Sequence, residues 1–359
     1  MSIGIDAHFT IYKDEGFYCG PGPSVVVGKD GMIIVAFRRV RSWLNEGHAG
    51  HWHPGTELCL TRSEDAGQSW SAPQVFLGGY QCPSLTLLGD GTLVHSTHKM
   101  ELVHEAIVDL CPQVSGVRTG PWPGVHGGTA IWRSGDRGAT WGAPVYLSGV
   151  PDLEPLHPSL AIPVAIRGNV LETESGRLLI SAYSLTDPNC AYLFSSEDRG
   201  LTWSYQSRIA ERFNETFLYE TESGDLVAFL RNWGADEAML HQARSSDGGD
   251  TWSTPEPLWR GYPACAVRLP SGRVLVAYGY RFKGPGVRAR VMTADCRQMD
   301  GSEEIVIRAN GATWDLGYPD ATVLRDGRVL LVYYTNTRSD APDITAPKFI
   351  EGCLLKEEG

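Results

Sequence analysis

The stretch Ser245-Ser246-Asp247-Gly248-Gly249-Asp250-Thr251-Trp252 decides how this chain is read. It has the make-up of a small polar turn closed by a tryptophan. Asp247 can accept hydrogen bonds from nearby backbone N–H groups, Gly249 permits φ > 0, and the Thr251 hydroxyl can tie back to the turn. Trp252 then plugs the turn into a core. A single Asp-Gly turn carries little information, but this one recurs. The pattern Ser-x-Asp-x-Gly-x-Ser/Thr-Trp returns at Ser63 to Trp70, Ser134 to Trp141 and Ser196 to Trp203, each time after an apolar run. An octamer repeated in this way marks an internal repeat, and repeats are read before local propensities.

A second periodicity frames the first. Six times, a turn ending in Gly is followed by an apolar or alternating run, starting at Gly31, Gly91, Gly176, Gly224, Gly272 and Gly327. Each run follows another short strand-like segment, such as Pro83 to Leu88 or Ala321 to Leu324, so each unit opens with a β-hairpin. The unit then continues through a third strand into the octamer and a fourth strand. Four strands in each of six units predict an all-β fold, a six-bladed β-propeller. The last two units lack a clean octamer, Thr293-Ala294-Asp295 being a degenerate copy. Residues Ala7 to Tyr12 are expected to pair with the last blade around Phe349 to Leu355, closing the ring and hiding its edges.

Composition narrows the function classes. A chain of 359 residues exceeds the usual single core, but repeat propellers run longer without splitting, and 1–359 reads as one domain. A hydrophobic content of 42%, eleven tryptophans, 41 glycines and 22 prolines suit many short strands joined by turns. The formal charge is −11 and no long Lys/Arg run occurs. A phosphate-tracking surface needs such runs, so neither nucleic acid nor an anionic membrane is an expected partner. The start, Met1-Ser2-Ile3-Gly4-Ile5-Asp6, has no charged n-region and no apolar h-region, which predicts a cytoplasmic protein. The eight cysteines are scattered without a C-x-x-C pair, which suggests free buried thiols rather than a zinc site.

Propeller topology sorts residues onto two faces. The Gly turns and the octamers share one face. The other carries the loops joining second to third strands, the connections between blades, and the residue seven positions after each hairpin Gly. Those six residues are Arg38, His98, Tyr183, Arg231, Gly279 and Tyr334. Histidines gather on the same face: His48, His51 and His53 in the first such loop, His98, His104 and His126 in or beside the second, and His157 between blades. The stretch from Lys99 to Gly128 is long for a propeller connection and is expected to wall one side of the axis. The His48-x-x-His51-x-His53 spacing is metal-like, yet the sequence calls for neither a metal nor a cofactor.

The octamers resemble the Asp-boxes of sialidases (neuraminidases) and related BNR-repeat propellers, and the resemblance extends over nearly the whole chain. Phe213-Asn214-Glu215-Thr216 opens a first strand, Arg231 follows Glu215 in the next strand, and Gly317-Tyr318-Pro319-Asp320 opens the last blade. By this resemblance Tyr318 is the nucleophile and Glu215 the base that takes its proton. A neutral phenol activated by a carboxylate can approach an anionic sugar without like-charge repulsion, and tyrosine is a recognised exception to the two-carboxylate rule. Sialidases also hold the substrate carboxylate with three arginines, whose planar guanidinium groups suit bidentate pairing. Arg231 matches the second and Arg288 the third, with Arg281 and Arg290 as alternatives.

Two positions depart from the pattern. Where the family has its first arginine the chain reads Cys19-Gly20-Pro21-Gly22-Pro23-Ser24, leaving Arg38 or Arg41 to approach from the neighbouring strand. Where the family has its acid/base aspartate the chain reads Trp43-Leu44-Asn45-Glu46-Gly47-His48, so Glu46 or His48 would replace it. Three functions stay open. One is a retaining exo-glycosidase acting on an acidic sugar of an oligosaccharide or glycoconjugate. Another is a lyase on a uronate-containing glycan, in which His98, His126, Tyr183 or an arginine would act on the carboxylate and its neighbouring proton. The third is a glycan-binding Asp-box protein without catalysis.

Overall fold

A computed structural model describes residues 2–41, 53–104, 106, 116–119, 122–151, 153–155, 161–186, 188–232, 239–337 and 348–358. The chain opens with β1 (Ser2–Tyr12) and then builds six sheets in turn. Blade 1 is β2 (Phe17–Val27), β3 (Ile33–Arg41), β4 (Glu57–Ser63) and β5 (Gln74–Gly78). Blade 2 is β6 (Tyr80–Leu87), β7 (Leu93–Leu102), β9 (Trp122–Ser134) and β10 (Val145–Tyr146), with β8 (Gly116–Thr119) paired to β9. Blade 3 has a first strand split into β11 (Val164–Ala165) and β12 (Leu171–Glu172), then β13 (Leu178–Ser184), β14 (Cys190–Ser196) and β15 (Ser204–Glu211). Blade 4 is β16 (Phe213–Glu220), β17 (Leu226–Asn232), β18 (Met239–Ser245) and β19 (Glu256–Arg260). Blade 5 is β20 (Ala264–Arg268), β21 (Val274–Tyr280), β22 (Gly286–Met292) and β23 (Ile305–Arg308). Blade 6 is β24 (Gly317–Val323), β25 (Val329–Asn336), β26 (Lys348–Glu358) and, as its fourth strand, β1.

This is the six-bladed propeller that the two repeats predict. The apolar runs become central strands because β-branched and aromatic side chains pack well on a pleated, buried surface. Each gap between neighbouring blades has its own apolar cluster. Blades 6 and 1 share Val25, Phe37, Leu330 and Ile350, for example, while blades 2 and 3 share Val94, Ile131, Ile180 and Phe194. The core is thus a ring of six interfaces rather than one central mass.

The octamers fold as one motif. In the first copy the Asp65 carboxylate accepts from the Ser63 hydroxyl (2.8 Å), the Ser69 N–H (2.8 Å) and the Ser69 hydroxyl (2.5 Å), and Gly67 N–H donates to Ser63 Oγ (2.8 Å). The same bonds recur around Asp136, Asp198 and Asp247. Hydroxyl and backbone donors from Ser69, Thr140 and Thr202 hold the Asp65, Asp136 and Asp198 carboxyls down at about 2. Gly249 takes φ +96°, as its place in the turn requires. In the second and third copies the residue after the box Asp reaches back to the preceding blade, where Arg137 pairs with Asp30 and Arg199 with Asp90, and Arg199 also pairs with Glu172 of its own blade. Boxes and hairpin turns therefore share one face, leaving the other for the site. In blade 5 the degenerate copy keeps only part of the turn, Asp295 accepting from the Thr293 hydroxyl (2.5 Å) and Arg297 N–H (3.1 Å).

The closure is longer than the sequence suggested. β1 pairs with β26 from Ser2 opposite Glu358 to Tyr12 opposite Ile350, with two register irregularities. Phe9 reaches across to stack on Trp70 of the first box (ring centroids 6.3 Å). All seven described cysteines are unbridged and six of them are buried, as expected.

Because β1 covers the last open edge, deleting residues 2–12 is expected to lower the thermal midpoint and produce aggregates. Thermal unfolding and size-exclusion chromatography of the truncated chain check this. An unchanged midpoint and a monodisperse profile would mean that the ring holds without its strap.

Candidate active site

The inner strands do not run straight into the axis. Register breaks fall between Gly20 and Ser24 in β2, Gln81 and Ser84 in β6, Phe213 and Thr216 in β16, and Gly317 and Asp320 in β24. Bulges of this kind re-aim side chains, and they concentrate near functional sites. Three of the four contain a short motif, Gly22-Pro23-Ser24, Cys82-Pro83-Ser84 or Tyr318-Pro319-Asp320, whose first residue lies in the left-handed region at φ +81°, +45° and +50°. Tyr318 and Cys82 adopt that conformation against the preference of a residue with a Cβ.

What holds Tyr318 there is visible on both sides of it. The Pro319 carbonyl accepts from Arg167 Nη2 (2.8 Å). The fully buried Asp320 carboxylate accepts from Ser24 Oγ (2.6 Å), Val25 N–H (2.9 Å) and Asn169 Nδ2 (3.3 Å). Ser24 Oγ accepts in turn from Leu85 N–H (2.9 Å), and Ser84 Oγ donates to Asn169 Oδ1 (2.5 Å). Blades 1, 2, 3 and 6 are thereby knotted at the axis. Burial pushes the Asp320 carboxyl up, against the pull of Ser24 and Arg167.

At the mouth of the axis, Tyr318 meets Glu215 and Arg231. The Tyr318 hydroxyl donates to Glu215 Oε1 at 2.5 Å, and Arg231 Nη1 lies 3.1 Å from the same hydroxyl while pairing with Glu215 Oε2. Burial opposes the charge on Glu215, but Arg231 and the Tyr318 hydrogen bond outweigh it and hold the carboxyl below its ordinary range. Burial and the Glu215 charge push the Tyr318 phenol up, partly offset by Arg231 and Arg281. The ground state is therefore a neutral phenol on an ionised carboxylate. Three cations surround the phenol ring: Arg281 is 5.1 Å and Arg167 5.2 Å from its centroid, and Arg231 packs 4.4 Å from the adjoining Tyr262 ring.

Tyr183 joins this cluster, since its phenol is buried and feels both Glu215 and Tyr318. Arg38, His98 and His126 reach the axis but lie beneath its surface, with exposures of 0%, 2% and 1%. That depth is a first correction, to the expectation of open ligand-facing side chains, although Tyr318 and Arg231 at 6% and Glu215 at 7% are nearly as buried. Arg38 is held from below by Gln81 Oε1 (2.7 Å) and Thr56 Oγ1 (3.1 Å). His98 Nδ1 accepts from Ile166 N–H (3.3 Å), and burial lowers its pKa to about 3. Burial and His98 also keep His126 neutral.

Arg288 requires a second correction. It is not brought to Tyr318, because its guanidinium stacks 3.4 Å from the Tyr280 centroid and pairs with Glu304 (2.5 Å). Arg281, one turn of chain earlier, faces the phenol instead. Glu46, His48, His51 and His157 lie outside the described residues. His53 is described and buried, its Nδ1 accepting from Gly55 N–H (2.9 Å).

Sequence reasoning passed over Arg167, Asp315, Lys348 and Tyr18. The signal for Arg167 was available, because Arg167-Gly168-Asn169 occupies in blade 3 the place of the X-Pro-Ser/Asp motif in the others.

The BNR repeat-like domain family matches residues 112–331 of the chain. Among curated proteins, none matches. A protein of unknown function from Dyadobacter fermentans is 33% identical, with a TM-score of 0.87 and coverage of 99% of both chains. The intramolecular trans-sialidase of Ruminococcus gnavus shares 14% identity at a TM-score of 0.67, covering 94% of each chain. A sialidase from Streptococcus pneumoniae shares 12% identity at a TM-score of 0.66, covering 96% of this chain and 70% of that one. At such identities these two enzymes bear on the fold alone.

Substituting Glu215→Gln leaves Arg231 buried without its counter-charge, a change that typically destabilises by about 3–5 kcal/mol. Tyr318→Phe removes two hydrogen bonds, one donated to Glu215 and one accepted from Arg231, and should cost about 1–3 kcal/mol. The stability contributed by the Glu215 charge is complete above the ordinary glutamate pKa and is lost as pH falls through the lowered folded value. Urea unfolding of both variants at neutral and acidic pH measures this, and the gap between wild type and Glu215→Gln should narrow on acidification.

Proposed function

The chain belongs to the BNR repeat-like family of sialidase-like propellers, and from that premise we propose that it is an exo-acting glycoside hydrolase specific for an acidic sugar. The observation that carries this reading is the 2.5 Å contact between the Tyr318 hydroxyl and Glu215. A tyrosine held against a buried, ionised glutamate, with an arginine on the same oxygen, is equipped for nucleophilic attack. Its proton has an acceptor in place, and the phenolate that forms is stabilised by Arg231 and Arg281.

In the first step, Glu215 takes the phenol proton as Tyr318 Oη bonds to the anomeric carbon. The bond to the leaving-group oxygen breaks, and an acid on the far side protonates that oxygen. In the second step, water attacks the same carbon while the residue that gave up its proton to the leaving group takes one from the water, the bond to Tyr318 breaks, and Glu215 returns the proton to the phenolate. The configuration is retained overall. The acid is assigned to Glu46 or His48. His98 is unsuited to it, since a pKa near 3 leaves no proton to give at neutral pH. The arginines around Tyr318 receive the acidic group of the substrate, Arg231 and Arg281 in contact.

Burial of His98 and His126 leaves Tyr183 and Tyr318 as the candidate bases of the alternative reading, a lyase. That chemistry needs a base in contact with the sugar ring. A cytoplasmic protein processing oligosaccharides already inside the cell is consistent with this reading.

A panel of sialosides, glucuronides and uronate-containing oligosaccharides, followed by reducing-end and ultraviolet readouts, tests the reading. Reducing ends without new absorbance are expected, and Tyr318→Phe should lose at least about a thousandfold in kcat. The lowered Glu215 pKa places the basic-form limb of the pH profile below the ordinary glutamate range. New absorbance would identify a lyase instead. Ligand binding that is indifferent to Tyr318→Phe, without turnover, would leave a glycan-binding protein.

A further inference from the structure

Beside the Tyr318–Glu215 pair, the front of the ring holds a second buried ionic group. Asp315, in the turn leading into β24, accepts from the Tyr334 hydroxyl (2.6 Å) and the Tyr18 hydroxyl (2.9 Å). It pairs with Lys348, whose ammonium also hydrogen-bonds Tyr18, and neither charged side chain has any exposed area. Asn336 Nδ2 fixes the Asp315 backbone carbonyl at 3.2 Å. The group thus draws together β2, β25, β26 and the connection from blade 5.

Tyr334 links this group to the site. Its hydroxyl donates to Asp315, so its lone pairs face outward, and one accepts from Arg281 Nη2 in a long bond of 3.4 Å. Its ring also lies 5.9 Å from that of Tyr318. Burial and the Asp315 charge keep the phenol protonated, which fixes the direction of the chain of bonds. Among the described residues Arg281 has no carboxylate partner. Its guanidinium is walled by the rings of Tyr262, Trp314 and Tyr318 at 5.9, 5.6 and 5.1 Å.

The charges at this corner do not balance. Asp315 is one carboxylate facing Lys348 in direct contact, Arg281 through Tyr334, and Arg38 on the side of Tyr18. Arg38 is fully buried, and among the described residues its Nη1 has no hydrogen-bond partner. A corner with this excess of positive charge is suited to an incoming anion.

We propose that Tyr334 and Asp315 are positioning residues: they hold the Arg281 guanidinium over Tyr318 to receive the acidic group of the substrate, and Lys348 and Tyr18 anchor Asp315 for that task. The inference deepens the acidic-sugar reading and rests on it. The relay also explains why Arg281 is directed to the site while Arg288, on the next strand, is drawn away by Glu304.

The test is Tyr334→Phe in the full chain, which breaks the relay without changing any charge. Calorimetric titration of wild type and variant would use N-acetylneuraminic acid, glucuronic acid and the methyl ester of each. The variant should bind the free acids about tenfold more weakly and the esters unchanged, because only the acids need an ordered Arg281. A crystal structure of the variant should show the guanidinium displaced from the Tyr318 ring. Equal weakening of acid and ester, or an Arg281 that has not moved, would make Tyr334 a packing residue and overturn the proposal. If wild type binds neither acid, the acidic-sugar reading fails, and the position of Arg281 in the variant still decides the relay.

Discussion

A buried carboxylate at the axis organises the molecule. Asp320 belongs to the last blade, yet its partners are Ser24 and Val25 of the first blade and Asn169 of the third. A carboxylate in an apolar interior is tolerated only when its oxygens are fully engaged. The energetic demand of that one group therefore sets where blades 1, 3 and 6 meet. Tyr318 is two residues away, and Arg167 holds the intervening carbonyl. The left-handed backbone at Tyr318 is strained in isolation. Anchored on both sides, it becomes the only arrangement open to the chain.

The chemistry of the site follows from how charge is distributed over this scaffold. On the side of blades 4 to 6, Glu215 and Arg231 form a buried pair whose hydrogen bonds converge on one phenol. On the side of blades 1 to 3, His98 and His126 are stripped of charge by burial, and Arg38 sits beneath the surface. The protein is acidic overall, at −11, yet its axis is lined by arginines. On the proposed reading, that contrast would direct an anionic ligand to one place on an otherwise repelling surface.

Most of the fold was legible in the sequence because repeats carry their own confirmation. Four octamers and six Gly-led runs cannot be accommodated by six different folds, and the pairing of β1 with β26 followed from the need to close the ring. The site was legible only where it depended on strand ends. Glu215, Arg231, Tyr183 and Tyr318 fall where topology puts them. Arg288 was misplaced because strand spacing says which residues approach the axis but not which will find a nearer partner, and Glu304 offered one. Arg38, His98 and His126 were placed correctly in direction but not in depth, which strand spacing does not reveal. Asp315, Lys348 and Tyr18 come from three distant stretches and announce themselves in none.

The Asp-boxes have a consequence beyond architecture. Blades 1 to 4 each carry a complete box, and arginines at or near three of these turns staple one blade to its neighbour. Blade 5 keeps a remnant, and blade 6 is closed by the two chain ends. The ring is nevertheless riveted all the way round, for along the seams of blade 5 Arg268 pairs with Glu222, Arg273 with Glu357 and Arg308 with Glu351. Tyr318 and Arg281 stand beside a seam held by ion pairs rather than by a complete box.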